Sequence, residues 1–179
     1  MTKTRILLAE DDRDHQRLLS GALLHAQPDI QLCVLSSREE LLDALRKERF
    51  DGVILDFNLA HFDAPQILKE AESFLAGTPV VVISSLSEQS VVIESLRTGV
   101  ADFVPKERAI EGNVLWTRMN SAIRARRRED IDRRKLQRRL EALNRAANHD
   151  PLTGLSNRRH AVRLLNSERN RTDRRQVSQ

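Results

Sequence analysis

The sequence predicts an α/β fold built on a five-stranded, doubly wound parallel sheet. Three observations carry that expectation. Short apolar runs recur along residues 1–108, helical stripes fill the intervals between them, and several runs end on a residue with chemistry to offer. Short continuous apolar runs bounded by polar, Gly or Pro residues are what parallel strands buried on both faces look like. Strands that alternate with helices imply right-handed crossovers, which gather ligands at the carboxyl ends of the strands.

The elements follow in order. Ile6-Leu7-Leu8-Ala9 is the first strand, and Leu18, Leu19, Ala22, Leu23 and Ala26 stripe the first helix. A weaker run, Ile30 to Leu35, supplies the second strand. Leu41, Leu42 and Leu45 mark the second helix, entered through a capping box of Ser37 and Glu40. Val53-Ile54-Leu55-Asp56 is the third strand, followed by a helix striped with Ile67, Leu68, Ala71 and Leu75. Val80 to Ile83 is the fourth strand, and Val91, Val92, Ser95 and Leu96 predict a helix ended by Gly99. Phe103-Val104-Pro105 is the last strand.

Four groups close these strands: the carboxylates Glu10 and Asp11, the carboxylate Asp56, the hydroxyl Ser84 and the ammonium Lys106. Three carboxylates at one strand edge repel each other, and a hard divalent cation with oxygen ligands, Mg2+, is the simplest remedy. An ionised Asp56 can then attack a phosphoryl group and form an acyl phosphate. Phosphoryl transfer depends on positioning and on neutralising oxygen charge. The cation, Lys106 and Ser84 would each take one phosphoryl oxygen. No general base is needed, because the nucleophile is already ionised. The set reads as a phosphorylation switch.

Over residues 3–108 this ordered set of acidic pair, Asp, Ser and Lys resembles the receiver domains of two-component response regulators. The resemblance implies a flavodoxin-like sheet of order 2-1-3-4-5 and a histidine kinase or phosphotransfer protein as phosphoryl donor. It implies that Asp56 is the phosphoacceptor and Asp11 a direct metal ligand, with Glu10 supporting partly through water and Asn58 offering its backbone carbonyl. Ser84 would be the switch hydroxyl and Phe103 the aromatic whose rotamer reports phosphorylation. In that family the residues two past the phosphoacceptor and two past the hydroxyl tune water access. Here these are Asn58 and Leu86, and the apolar Leu86 implies slow self-dephosphorylation. Two features depart from the family pattern. Pro105 precedes Lys106 and Glu107 follows it, where receivers commonly carry Pro just after the lysine, and the hydroxyl is Ser rather than the commoner Thr.

Charge divides the 179 residues in two. Residues 1–109 hold 12 Lys and Arg against 18 Asp and Glu, a net of −6; residues 110–179 hold 18 against 8, a net of +10. Cys33 is the only cysteine, so a disulfide within the chain is excluded and a buried, inert thiol is expected. His15, His25, His61, His149 and His160 show no metal-ligand spacing and read as surface residues. No signal peptide and no run near the ~18 apolar residues of a membrane helix is present, so a cytoplasmic protein is expected.

From about residue 109 the pattern becomes one long helix, with no Gly or Pro from 113 to 147. Leu136, Leu140, Leu143 and Ala147 are spaced as a two-stranded coiled-coil seam, which predicts a homodimeric stalk over residues 109–149. Extending the seam backwards puts Arg133 and Arg126 in core positions and leaves Ile123 and Ile131 outside, so a second register that buries the isoleucines is also expected.

The stalk runs into Asp150-Pro151-Leu152-Thr153-Gly154-Leu155-Ser156-Asn157-Arg158-Arg159, where Pro151 ends the helix and a new amphipathic stretch begins. That string resembles the opening of GGDEF domains, the diguanylate cyclases that condense two GTP into cyclic di-GMP. The resemblance covers residues 148–179 and implies that Asn157 is a vestigial nucleotide-binding residue that helps to read guanine. Asn166 stands where the family has an acidic partner for it, and no Gly-Gly-Asp/Glu-Glu-Phe signature occurs anywhere. The chain is therefore expected to act only as phosphoacceptor, as a piece of a diguanylate cyclase or a product that ends early, with GTP a ligand of the full-length parent alone. Two other readings compete. One is a nucleic-acid regulator using the Arg-rich helix, weakened by the interleaved Glu129, Asp130 and Asp132. The other is a stand-alone receiver that acts by protein docking.

Overall fold

The computed structural model describes residues 3–85 and 99–148, with side chains to 145 in the last helix. The expected helix around Val91, Val92, Ser95 and Leu96 lies outside the described residues, as do Leu86 and Asn157. The chain forms two compact units, Met1–Arg128 and Glu129–Gln179.

In the first unit the strands are β1 (Arg5–Ala9), β2 (Gln31–Leu35), β3 (Gly52–Asp56), β4 (Asn58–Leu59), β5 (Phe62–Asp63), β6 (Val80–Ser84) and β7 (Asp102–Pro105). The helices are α1 (Arg13–Ala26), α2 (Arg38–Lys47), α3 (Ala64–Leu75), the short α4 (Lys106–Ala109) and α5 (Val114–Asn148). Five strands form one parallel sheet in the order β2-β1-β3-β6-β7, the doubly wound order expected.

Alternation along the strands sorts side chains onto two faces. Leu7, Ala9, Val53, Leu55, Val80 and Val82 pack under α2 and α3. Ile6, Leu8, Ile54, Val81, Ile83 and Val104 pack under α1 and the first part of α5, which contributes Leu115, Met119 and Ile123. Gly52 leaves room for that docking, because a Cβ there would oblige the Met119 thioether to shift. Ile123 is only 3% exposed, so the expected register that buries it in a dimer seam would have to strip it from this core. That part of the stalk expectation is corrected by packing.

Other local expectations also meet corrections. Leu18 is 51% exposed, because only Leu19 and Leu23 of its stripe face the sheet. The capping box is half formed: Ser37 Oγ accepts from Glu40 N at 3.2 Å, but the Glu40 carboxylate accepts from Ser36 N at 2.8 Å. The helix expected from about residue 109 begins at Val114, after α4 and a turn in which Gly112 has φ +52°. Cys33 is partly rather than fully buried; burial is the main cause that raises its thiol pKa. The sequence reading missed the antiparallel hairpin β4–β5, whose turn residues Ala60 and His61 both have positive φ. Such turns favour Asn-Gly, so the sequence carried no signal for this one.

In the second unit the described residues continue α5 from Glu129. Ile131, Leu136, Leu140 and Leu143 are 52%, 59%, 54% and 60% exposed. The side chain of Ala147 lies outside the described residues. No helix among the described residues is long and apolar enough to cross a membrane.

Candidate functional site

Strand register assembles the site. Ala9 aligns with Leu55, Asp56 with Ile83, and Ser84 with Pro105. Glu10, Asp56, Ser84 and Lys106 therefore follow or close four neighbouring strands at one sheet edge. Glu10 and Ser84 are 0% exposed and Asp56 is 2% exposed.

Lys106 is the hub. Its Nζ lies 2.8 Å from Asp56 Oδ2 and 3.1 Å from Glu10 Oε2. Burial works to lower the ammonium's pKa, but the hydrogen bond and charge of Asp56, then those of Glu10, outweigh it and hold it above its ordinary value. Pro105 caps the short helix α4 that Lys106 starts, so the displaced proline does not displace the ammonium. Burial, followed by the charge of Asp56, raises the Glu10 pKa, and Lys106 only partly offsets this.

Among the described residues the buried Asp56 Oδ1 has no hydrogen-bond partner, and Glu10 Oε2 has only its ion pair with Lys106. Buried polar atoms are nearly always satisfied, so an orphaned carboxylate oxygen points to a ligand. Glu10, Asp11 and Asp56 each place a carboxylate oxygen within 4.8 Å of the others, with Asp11 exposed at the mouth. Hard oxygen donors of this kind fit Mg2+.

The remaining expected residues flank this centre. Asn58, two residues past Asp56, is exposed and begins the hairpin, paired with Asp63. The Ser84 hydroxyl donates to the Ser85 carbonyl at 3.1 Å. Phe103 is partly buried against the core beneath α2 and α3.

Three contributors escaped the sequence reading. Asp12 is the N-cap of α1, accepting from Asp14 N at 2.9 Å and His15 N at 2.8 Å; the His15 amide is the main cause that lowers its pKa. An acid just before an apolar-periodic stretch is an N-cap signal, so this role was available. The Gln16 side chain donates to the Glu10 carbonyl and, at 3.0 Å, to Ser36 Oγ, bracing the loop after β1. His15, expected at the surface, is only partly exposed: its Nδ1 is buried 3.9 Å from Glu10 Oε1, an approach created by the first turn of α1.

Comparison with known proteins places this architecture. Residues 6–114, more than half of the chain, match the response regulator receiver domain, and the chain belongs to that family, which serves two-component signalling. It is 29% identical over 101 residues to the transcriptional regulatory protein ZraR of Escherichia coli, covering 56% of this chain and 22% of that protein. It is 28% identical over 120 residues to the response regulator MprA of Mycolicibacterium vanbaalenii, covering 67% and 50%. The chain thus spans half or less of the length of these relatives. A CheY-like receiver from Methanospirillum hungatei superposes with a TM-score of 0.63 at 16% identity, over 72% of this chain and 99% of that one.

Proposed function

We propose that Asp56 accepts a phosphoryl group from a histidine kinase or phosphotransfer protein, and that this state controls an attached diguanylate cyclase through a dimeric helical stalk. The observation that carries the first part is the buried Asp56 carboxylate, held by Lys106 through one oxygen, the other having no hydrogen-bond partner among the described residues. A carboxylate oxygen of Asp56 forms the new bond to phosphorus, the bond from phosphorus to the donor breaks, and its electron pair leaves with the donor. Glu10, Asp11 and Asp56, with the Asn58 backbone carbonyl, would hold Mg2+, which when bound neutralises phosphoryl oxygen charge. The Lys106 ammonium, whose charged form is favoured by the Asp56 and Glu10 carboxylates beside it, stabilises a second oxygen. Ser84 turns from the Ser85 carbonyl to a third, and the space it leaves lets Phe103 turn inward.

The cyclase output rests on the Asp150–Arg159 string alone. A nucleic-acid output gains some support from the likeness to ZraR, a transcriptional regulatory protein. Against it, Arg127 is engaged by Asp51 at 2.8 Å and Arg126 lies over Gly77, which leaves fewer cations for phosphates.

Beryllofluoride or acetyl phosphate with Mg2+ is expected to modify Asp56 alone, read by intact mass and peptide mapping after acetyl phosphate. Asp56→Asn should abolish the modification and Asp11→Asn should weaken Mg2+ binding. Full labelling of Asp56→Asn would sink the assignment.

A further inference from the structure

We infer, resting on the dimeric-stalk reading above, that a second copy of this chain pairs in parallel and in register along residues 129–147. The layer that sets this geometry is electrostatic: Arg133 lodges between Glu129 and Asp132 of the second copy.

The receiver fixes where the seam starts. Met119 and Ile123 are 0% and 3% exposed in its own core. Arg126 covers Gly77, where φ is +81° and a Cβ would collide with the guanidinium. Arg127 is paired with Asp51. Residues up to 128 therefore already serve the first unit, and the exposed apolar stripe of Leu136, Leu140 and Leu143 lies beyond them.

The spacing of that stripe assigns the heptad. Leu136 and Leu143 take d positions with Glu129, while Leu140 and Ala147 take a positions with Arg133. In a parallel pair, a knob at a enters a hole made by the partner's preceding d and g residues, its own counterpart and the following d. For Arg133 these are Glu129, Asp132, Arg133 and Leu136. Each guanidinium meets two carboxylates of the other chain, and the long stem of Arg can lie along Leu136 while its head stays wet. Within its own helix Asp132 has Lys135 at 3.8 Å, both more than 70% exposed, a contact too solvated to compete strongly.

An antiparallel pair loses this match. Setting Leu136 against Leu140 puts Arg133 opposite Leu143, where the flanking e position is Asn144. No carboxylate is supplied there, whereas the parallel hole sets two carboxylates against the one like charge of the facing Arg133. The apolar stripe thus drives association, and the charged layer selects direction and register, the usual consequence of one polar a position at some expense of stability.

The test uses the full chain. In a Cys33→Ser background, Leu140→Cys should form a disulfide with its own copy under mild oxidation. A mixture of Leu136→Cys and Leu140→Cys should yield no preferred mixed dimer. By sedimentation, Arg133→Glu should weaken self-association about ten-fold. Adding Glu129→Arg and Asp132→Arg should restore it, and Arg133→Leu should tighten it. A preferred mixed cross-link, or association unchanged in Arg133→Glu, overturns the parallel charged layer while leaving a dimeric stalk standing. A chain that stays monomeric throughout overturns both, and beryllofluoride binding at Asp56 still judges the receiver reading by itself.

Discussion

At the carboxyl end of the sheet Lys106 faces two carboxylates that are 0% and 2% exposed, and one oxygen of Asp56 has no hydrogen-bond partner among the described residues. At the amino end Arg5 with Glu48 and Arg127 with Asp51 form two ion pairs, but each side chain is 33–60% exposed. There Asp51 accepts from the Arg5 amide at 2.9 Å and from Arg127 at 2.8 Å, and the Arg5 guanidinium rests over the Phe50 ring. The same residue types are largely solvated at one end, where Arg5 Nε is nonetheless a buried atom without a partner among the described residues, and dry at the other, where carboxylate oxygens are the atoms left over. A fold selected for stability alone has little use for the second arrangement, so the difference supports reading the carboxyl end as the proposed binding centre and the amino end as a fastening.

Removing the cation from the buried end should have the largest effect. Lys106→Met leaves two buried carboxylates facing each other without a counter-charge, which should destabilise the Mg2+-free protein by about 3 kcal/mol. Urea unfolding in chelator should show this loss, and Mg2+ at saturating concentration should recover part of it. A variant as stable as the parent in chelator would show that the carboxylates are not both ionised in the folded state.

The opposite sign is expected at Glu10. Its folded-state pKa is raised, mainly by burial and then by Asp56. The stability it contributes is therefore fully present below its ordinary value and is lost as pH rises through the folded pKa. At neutral pH without metal, ionised Glu10 is a liability, and Glu10→Gln should stabilise the fold by about 1 kcal/mol while weakening Mg2+ binding. That gain should vanish as pH falls below the carboxyl's ordinary range. Parallel unfolding curves for parent and variant across pH measure it.

Much of this contrast was legible beforehand, for identifiable reasons. Fully buried strands announce themselves as continuous apolar runs, so β1, β3 and β6 and the polar residues at their ends stood out. Edge strand β2, with an exposed Gln31 and Val34, gave a weaker signal because half its surface is wet. The amino-end fastening was illegible: Arg5, Asp51 and Arg127 are far apart in sequence, and no local pattern marks an ion pair closed by tertiary contact. The same limit hid the division of α5. Ile123 and Leu140 look equally apolar in sequence, and only packing shows the first at 3% and the second at 54% exposure.

Arg127→Ala should have the smallest effect, and it sharpens the comparison most. The Arg127 side chain is 60% exposed and its partner Asp51 33%, so water and salt already screen the pair. Asp51 also keeps its hydrogen bond from the Arg5 amide, so no buried charge is stranded when Arg127 is removed. The loss should be about 0.5 kcal/mol at low ionic strength and should shrink further in high salt. Mg2+ should not change it, because the carboxylate cluster proposed to hold Mg2+ lies at the other end of the strands. Unfolding midpoints at low and high salt, with and without Mg2+, measure all three features. A loss comparable to that of Lys106→Met, or one that Mg2+ reverses, would mean that the two ends are energetically coupled rather than built for different tasks.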